Sequence, residues 1–155
     1  MSKSKPEFVY VAYIETTPDK LWQALTDGDF TERYWFGARL RSDWTVGSSF
    51  EMVDGDGKVS DAGKVVEYDP PKRLAYTFVN LSDDYRNDRP ALATFELEAF
   101  GKLVKLTLTH EGFAAGGRML PAISKGWPAI LSSLKSILET GHPLEIPFAA
   151  LKLES

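Results

Sequence analysis

The stretch Leu103–Gly141, LVKLTLTHEGFAAGGRMLPAISKGWPAILSSLKSILETG, changes its hydrophobic period from two to about 3.6 along its length. At its start, Val104, Leu106, Leu108 and His110 share one face of an extended chain, and Lys105, Thr107 and Thr109 share the other. Further on, Leu120, Ile123, Trp127, Ile130, Leu131, Leu134, Ile137 and Leu138 fall on one continuous apolar face of a helix over Met119–Thr140. Ser132, Ser133, Lys135, Ser136 and Glu139 lie largely off that face, Gly141 is placed as a C-cap, and Pro143 prevents continuation. Such a helix is on the order of 33 Å long. Pro128 removes one of its hydrogen bonds, which predicts a local kink or a break there.

Upstream, the sequence supplies the strands that this helix needs as a partner. Phe8–Glu15 is β-branched and aromatic and reads as a strand; both of its faces are apolar, which predicts at least partial cover on both sides. Thr17 and Pro18 suit the cap and first position of a short helix carrying Leu21, Trp22 and Leu25. A second short helix is predicted from Phe30 to Trp35, ending at Gly37. Strands then follow at Arg39–Trp44, Gly47–Val53 and Lys58–Tyr68, the last two joined by the hairpin-type turn Asp54-Gly55-Asp56-Gly57. Gly63 marks a bulge or bend of the kind a curved sheet needs. After the rigid turn Asp69-Pro70-Pro71-Lys72, Leu74 to Val79 alternates as a strand, and Ala91–Phe100 and Leu103–Glu111 are two more. Asn80–Pro90 is polar, reads as structureless, and is the best candidate for a mobile rim.

This order predicts one α+β domain over residues 1–155: a strongly curved antiparallel sheet wrapped around a long C-terminal helix, with two short helices after the first strand and an apolar cavity between sheet and helix. Residues 1–6 are expected to be disordered. Residues 142–155 form a tail whose Ile146, Phe148 and Leu151 are expected to pack.

The 155-residue chain is 43% hydrophobic and 26% charged, ordinary values for a globular domain. Its net charge of −4 has no basic stripe, which argues against nucleic acid as a partner. The absence of cysteine excludes disulfides, thiolate catalysis and cysteine-based zinc sites. The polar start Met1-Ser2-Lys3-Ser4-Lys5-Pro6-Glu7 is unlike a signal peptide, and no apolar run approaches the ~18 residues of a membrane span. A cytoplasmic location is the resulting expectation.

Several strings, in order, carry a resemblance. They are Tyr13-Ile14-Glu15-Thr16-Thr17-Pro18-Asp19-Lys20-Leu21-Trp22 with Ala24-Leu25-Thr26-Asp27, and Gly63-Lys64-Val65-Val66-Glu67-Tyr68-Asp69-Pro70-Pro71 with Arg73-Leu74. Leu106-Thr107-Leu108-Thr109-His110-Glu111-Gly112-Phe113 and Gly126-Trp127-Pro128 with Leu131 and Leu134 complete the set. Together they resemble the START-like (SRPBCC, helix-grip) superfamily, in the branch that is similar to the activator of the heat-shock-protein-90 ATPase. The resemblance implies a helix-grip fold over nearly the whole chain. It is much less specific for function, because similar proteins include lipid carriers, hormone receptors, cyclases and co-chaperones.

No motif defines an active site. His110 and Glu111 either face the cavity mouth as acid–base groups or simply brace the strand-to-helix turn. The second histidine, His142, follows the helix end and is expected to be exposed, and no His or carboxylate spacing suits a metal. Asp54-Gly55-Asp56-Gly57-Lys58 begins like a calcium loop, but Lys58, Val59 and Val65 stand where a ligand, a glycine and the closing glutamate belong. Ser132-x-x-Lys135 lacks its companion motifs. The aromatics carry more: Trp22, Trp35, Phe36, Trp44, Phe50, Tyr76, Phe78, Phe113 and Trp127, with His110, are the candidate ligand-binding residues, and an ordinary core is the competing explanation for several of them.

The expectation is therefore a binding module for a small hydrophobic or amphipathic molecule, with no cofactor and more plausibly no enzymatic activity. Two alternatives stand beside it: a co-chaperone-like partner of a chaperone ATPase, and a cyclase- or hydrolase-type enzyme using Tyr76, His110 or Glu111. The apolar tail and strand edges also allow a homodimer.

Overall fold

Local sequence starts each element where a physical device is available. In the computed structural model, which describes residues 7–147, β1 (Glu7–Ile14) is followed by Thr17, whose hydroxyl accepts from the Lys20 N–H and caps α1 (Pro18–Thr26). Asp27 closes α1 and its carboxylate accepts from Asp29 N–H, opening α2 (Gly28–Tyr34). The chain then builds β2 (Arg39–Ser42), β3 (Ser49–Val53), β4 (Val59–Asp69) and β5 (Arg73–Asn80). A 3₁₀ turn at Asp83–Tyr85 precedes β6 (Ala91–Phe100), β7 (Leu103–Glu111) and α3 (Met119–Thr140).

The seven strands form one antiparallel sheet in the order β1-β7-β6-β5-β4-β3-β2. Strands β2 to β7 follow the chain as a meander, and β1 closes against β7 with Val9 opposite Thr109 and Val11 opposite Thr107. The predicted α+β helix-grip architecture is present: α3 lies on the concave face, and α1 and α2 fill one end.

Curvature is concentrated in β4. The pairing register with β5 shifts between Val65 and Glu67. At Gly63 a Cβ would lie 1.7 Å from the Thr77 carbonyl oxygen, so only glycine lets β5 approach this closely.

Four expectations need correction. Cover for β1 is one-sided: Ile14 is fully buried, whereas Val9, Val11 and Tyr13 face outward at 43–51% exposure, because all the helices pack on the concave side. Of the two alternatives at Pro128, the break does not occur: α3 is one continuous helix, and one lost hydrogen bond is outweighed by burial of Trp127, Ile130 and Leu131 around it. Ser133 is buried rather than on the polar side, since its hydroxyl accepts from Leu144 N–H at 3.0 Å and docks the start of the tail. The Asn80–Pro90 segment is not structureless. It contains the 3₁₀ turn and is anchored by the Asp88 carboxylate, which accepts from Arg118 and Met119 N–H, and by Arg89, which donates to the carbonyls of Gly112 and Phe113. The expectations for residues 1–6 and for Phe148 and Leu151 lie outside the described residues.

Candidate functional site

Aromatic side chains fill most of the space between sheet and helix. Phe50 from β3 and Tyr76 from β5 stack with centroids 3.9 Å apart, and both are buried. Trp44 packs on Phe50 and Tyr68, and Trp22 meets the same Tyr68 edge-on at 5.4 Å. Trp127 of α3 reaches down into this layer, with Trp35, Phe95 and Phe78 around it at 5.2, 5.7 and 6.4 Å.

Trp127 also fixes His110. Its indole N–H donates to His110 Nδ1 at 3.0 Å, which places the neutral imidazole's proton on Nε2. Nε2 is buried and reaches no partner with hydrogen-bond geometry. His110 has no exposed surface, and burial pulls its pKa down to about 4, opposed only in part by the Ala91 backbone. Its ring lies 4.7 Å from that of Phe113. Burial, with a smaller contribution from Tyr34, pushes the Tyr76 hydroxyl well above its usual range. Glu111, the remaining acid–base candidate, is exposed at the end of β7.

What stays open is a cleft of about 170 Å³ between α3 and the β3–β5 part of the sheet. One wall is helical, from Met119 through Ile123 and Gly126 to Ile130. Met52, Phe78, Trp35 and Trp127 complete an apolar floor, and Asp61, Asn80 and Tyr85 place polar groups at one side. Asp61 and Asn80 face each other across the β4–β5 pair. Burial raises the Asp61 pKa, with the Ser60 hydroxyl opposing by donating to its Oδ1 at 2.8 Å. Tyr85 is also raised, by burial first; Arg118 pulls it down, while Asp61, Asp84 and Asp88 push it up.

Of the ten aromatic and histidine candidates, Trp35, Phe78 and Trp127 line this cleft. Phe36 and Trp44 border separate surface grooves. Trp22, Phe50, Tyr76, His110 and Phe113 belong to the packed interior. Asp61, Asn80, Tyr85, Met52 and Met119 were missed. The alternation of β5 and the apolar face of α3 pointed inward, but nothing local distinguished Asp61 from its polar neighbours. Only the register that sets Asp61 opposite Asn80 reveals it. Among the described residues no group of three or more His, Cys, Asp or Glu is placed to hold a metal, and no helix is long and apolar enough to cross a membrane.

Comparison with known proteins extends this picture. A family model, activator of Hsp90 ATPase homolog 1-like protein, matches residues 15–139. A protein of Mesorhizobium loti is 27% identical with a TM-score of 0.74, covering 86% of this chain and 96% of its own. An Hsp90 activator from Plasmodium falciparum is 24% identical with a TM-score of 0.72, covering 88% and 97%. The Aha1 dimer from Colwellia psychrerythraea is 22% identical with a TM-score of 0.71, covering 88% and 98%; these last two likenesses concern the fold. No curated protein matches the chain. With the matched span running from the end of β1 to the last turn of α3, the chain belongs to the family of activator of Hsp90 ATPase homolog 1-like proteins.

Proposed function

We propose that this chain binds a small amphipathic molecule in the cleft between α3 and strands β3–β5, without transforming it. The observation that carries this reading is the composition of the cleft: an aromatic and aliphatic floor with Asp61, Asn80 and Tyr85 grouped at one side. Its volume of about 170 Å³ is close to that of an engineered protein cavity of about 150 Å³ that takes up benzene, so the ligand is compact or inserts only one ring. Tyr76, His110 and Glu111, the residues that the enzyme alternative would use, do not line the cleft.

The chain contains three methionines, and two of them, Met52 and Met119, line the cleft. Their methyl resonances therefore report directly on occupancy. Titration with benzyl alcohol, cyclohexanol and indole should shift both signals saturably. Unmoved signals for every probe would sink the reading.

Family membership favours a second reading, in which the chain acts on a chaperone ATPase, as the name of the Plasmodium falciparum relative says of that protein. Adding this protein to an Hsp90-type chaperone should then raise the rate of ATP hydrolysis. The name of the Colwellia psychrerythraea relative likewise supports a homodimer, which sedimentation of this protein tests.

A further inference from the structure

Asp61 presents an unbalanced charge. It stands in β4 with its side chain in the cleft, and burial acts on it more strongly than its one hydrogen bond from Ser60. Among the described residues no lysine or arginine pairs with it, whereas Arg39, Arg41, Arg73 and Lys135 all have carboxylate partners elsewhere. A partly buried carboxylate without a cation loses hydration that nothing in the free protein replaces beyond the Ser60 hydroxyl. Its surroundings are also acidic: Asp84 and Asp88 act on the neighbouring Tyr85 in the same sense as Asp61, against Arg118 alone. The same cleft is lined by Trp35, Phe78, Tyr85 and Trp127, and aromatic rings attract cations to their faces.

We infer that the cleft selects cationic amphiphiles, in which a compact apolar body sits against Trp35, Phe78 and Trp127 while a primary or secondary ammonium group donates to the Asp61 carboxylate. This rests on the ligand reading above and gives it a chemical class. A neutral alcohol offers Asp61 one ordinary hydrogen bond. An ammonium group offers a charge-assisted one and supplies the missing countercharge in a poorly solvated place. A metal ion is a poor fit, because a single carboxylate faces the cleft and, among the described residues, no group of three or more His, Cys, Asp or Glu is placed to hold one.

The test compares benzylamine with benzyl alcohol, two molecules of nearly the same shape, at pH 7 by the Met52 and Met119 methyl shifts and by calorimetry. Benzylamine should bind at least tenfold more tightly. In Asp61→Asn, which keeps an acceptor for Ser60, that preference should vanish, with alcohol binding changed less than twofold. Equal affinity of the two molecules for the unaltered protein overturns the inference and leaves the cleft reading standing, and so does an amine preference that survives in Asp61→Asn. If neither molecule moves either methyl signal, the cleft reading itself fails and the inference falls with it. The comparison in the unaltered protein decides the matter even where the variant does not fold.

Discussion

His110 carries an imidazole with no exposed surface, and its titration follows from that. Folding holds its pKa near 4, whereas the unfolded chain has the ordinary value of about 6.5. Between those values the unfolded state binds more protons, so stability rises with pH. The contribution is fully present above about pH 6.5 and is lost as pH falls toward 4, a change of about 3 kcal/mol. Urea unfolding at pH 7.5 and pH 4 should show this loss in the unaltered protein and much less of it in His110→Gln, whose amide oxygen still accepts from Trp127. Identical pH dependence in the two proteins would contradict the assignment. Gly63 makes a second prediction at this scale. A methyl group there meets the Thr77 carbonyl, so Gly63→Ala should cost at least about 3 kcal/mol in denaturant melts. The inward direction of His110 was legible from simple alternation along β7. Its bond to Trp127 was not, because the partners lie 17 positions apart on different elements and only the docking of α3 brings them together.

Helix α3 shows how an element borrows its termini from the rest of the chain. Its N-cap position, Arg118, makes no side-chain capping bond; the Asp88 carboxylate does that work from the loop after β5. Asp88→Ala should lower stability by about 1–2 kcal/mol, measured by thermal or urea unfolding. It should also speed amide hydrogen exchange at Arg118 and Met119, the two N–H groups left without an acceptor. Near the other end, Glu139 accepts from Glu15 N–H, and Lys135 donates to the Tyr13 carbonyl as well as to Glu139. These contacts tie the helix to the outer edge of the sheet, where β1 would otherwise present unpaired backbone groups. The helix itself was legible almost to its last residue, since Gly141 adopts the left-handed conformation that its position after Thr140 implied. The anchored loop was not, because a polar run reads the same whether its carboxylate faces water or a helix N-terminus.

At the scale of the whole molecule, β1 returns to β7 and the sheet curls over α3 with the large rings interdigitated between them. The sequence announced that architecture through period, turn chemistry and a set of family-like strings. It could not announce how completely the rings would fill the interior. Ten residues were candidates for one cavity, yet the Phe50–Tyr76 stack and the His110–Trp127 bond consume most of that space, and the cleft lies to one side. Packing of this kind depends on rotamers and strand register, neither of which a linear pattern records. Gly126 offers a direct handle on the space that remains. It lies on α3 in the cleft wall, and an added Cβ would meet nothing within 4 Å. Gly126→Leu should therefore fill the cleft while raising helix stability by about 1 kcal/mol. The most direct measurement is the binding isotherm of benzyl alcohol for the unaltered protein and for Gly126→Leu, side by side, with a thermal melt of each. Saturable binding to the first, loss of binding in the second and an equal or higher melting temperature would establish the cleft as the ligand site. No binding to the unaltered protein, or binding that survives in a folded Gly126→Leu, would contradict it.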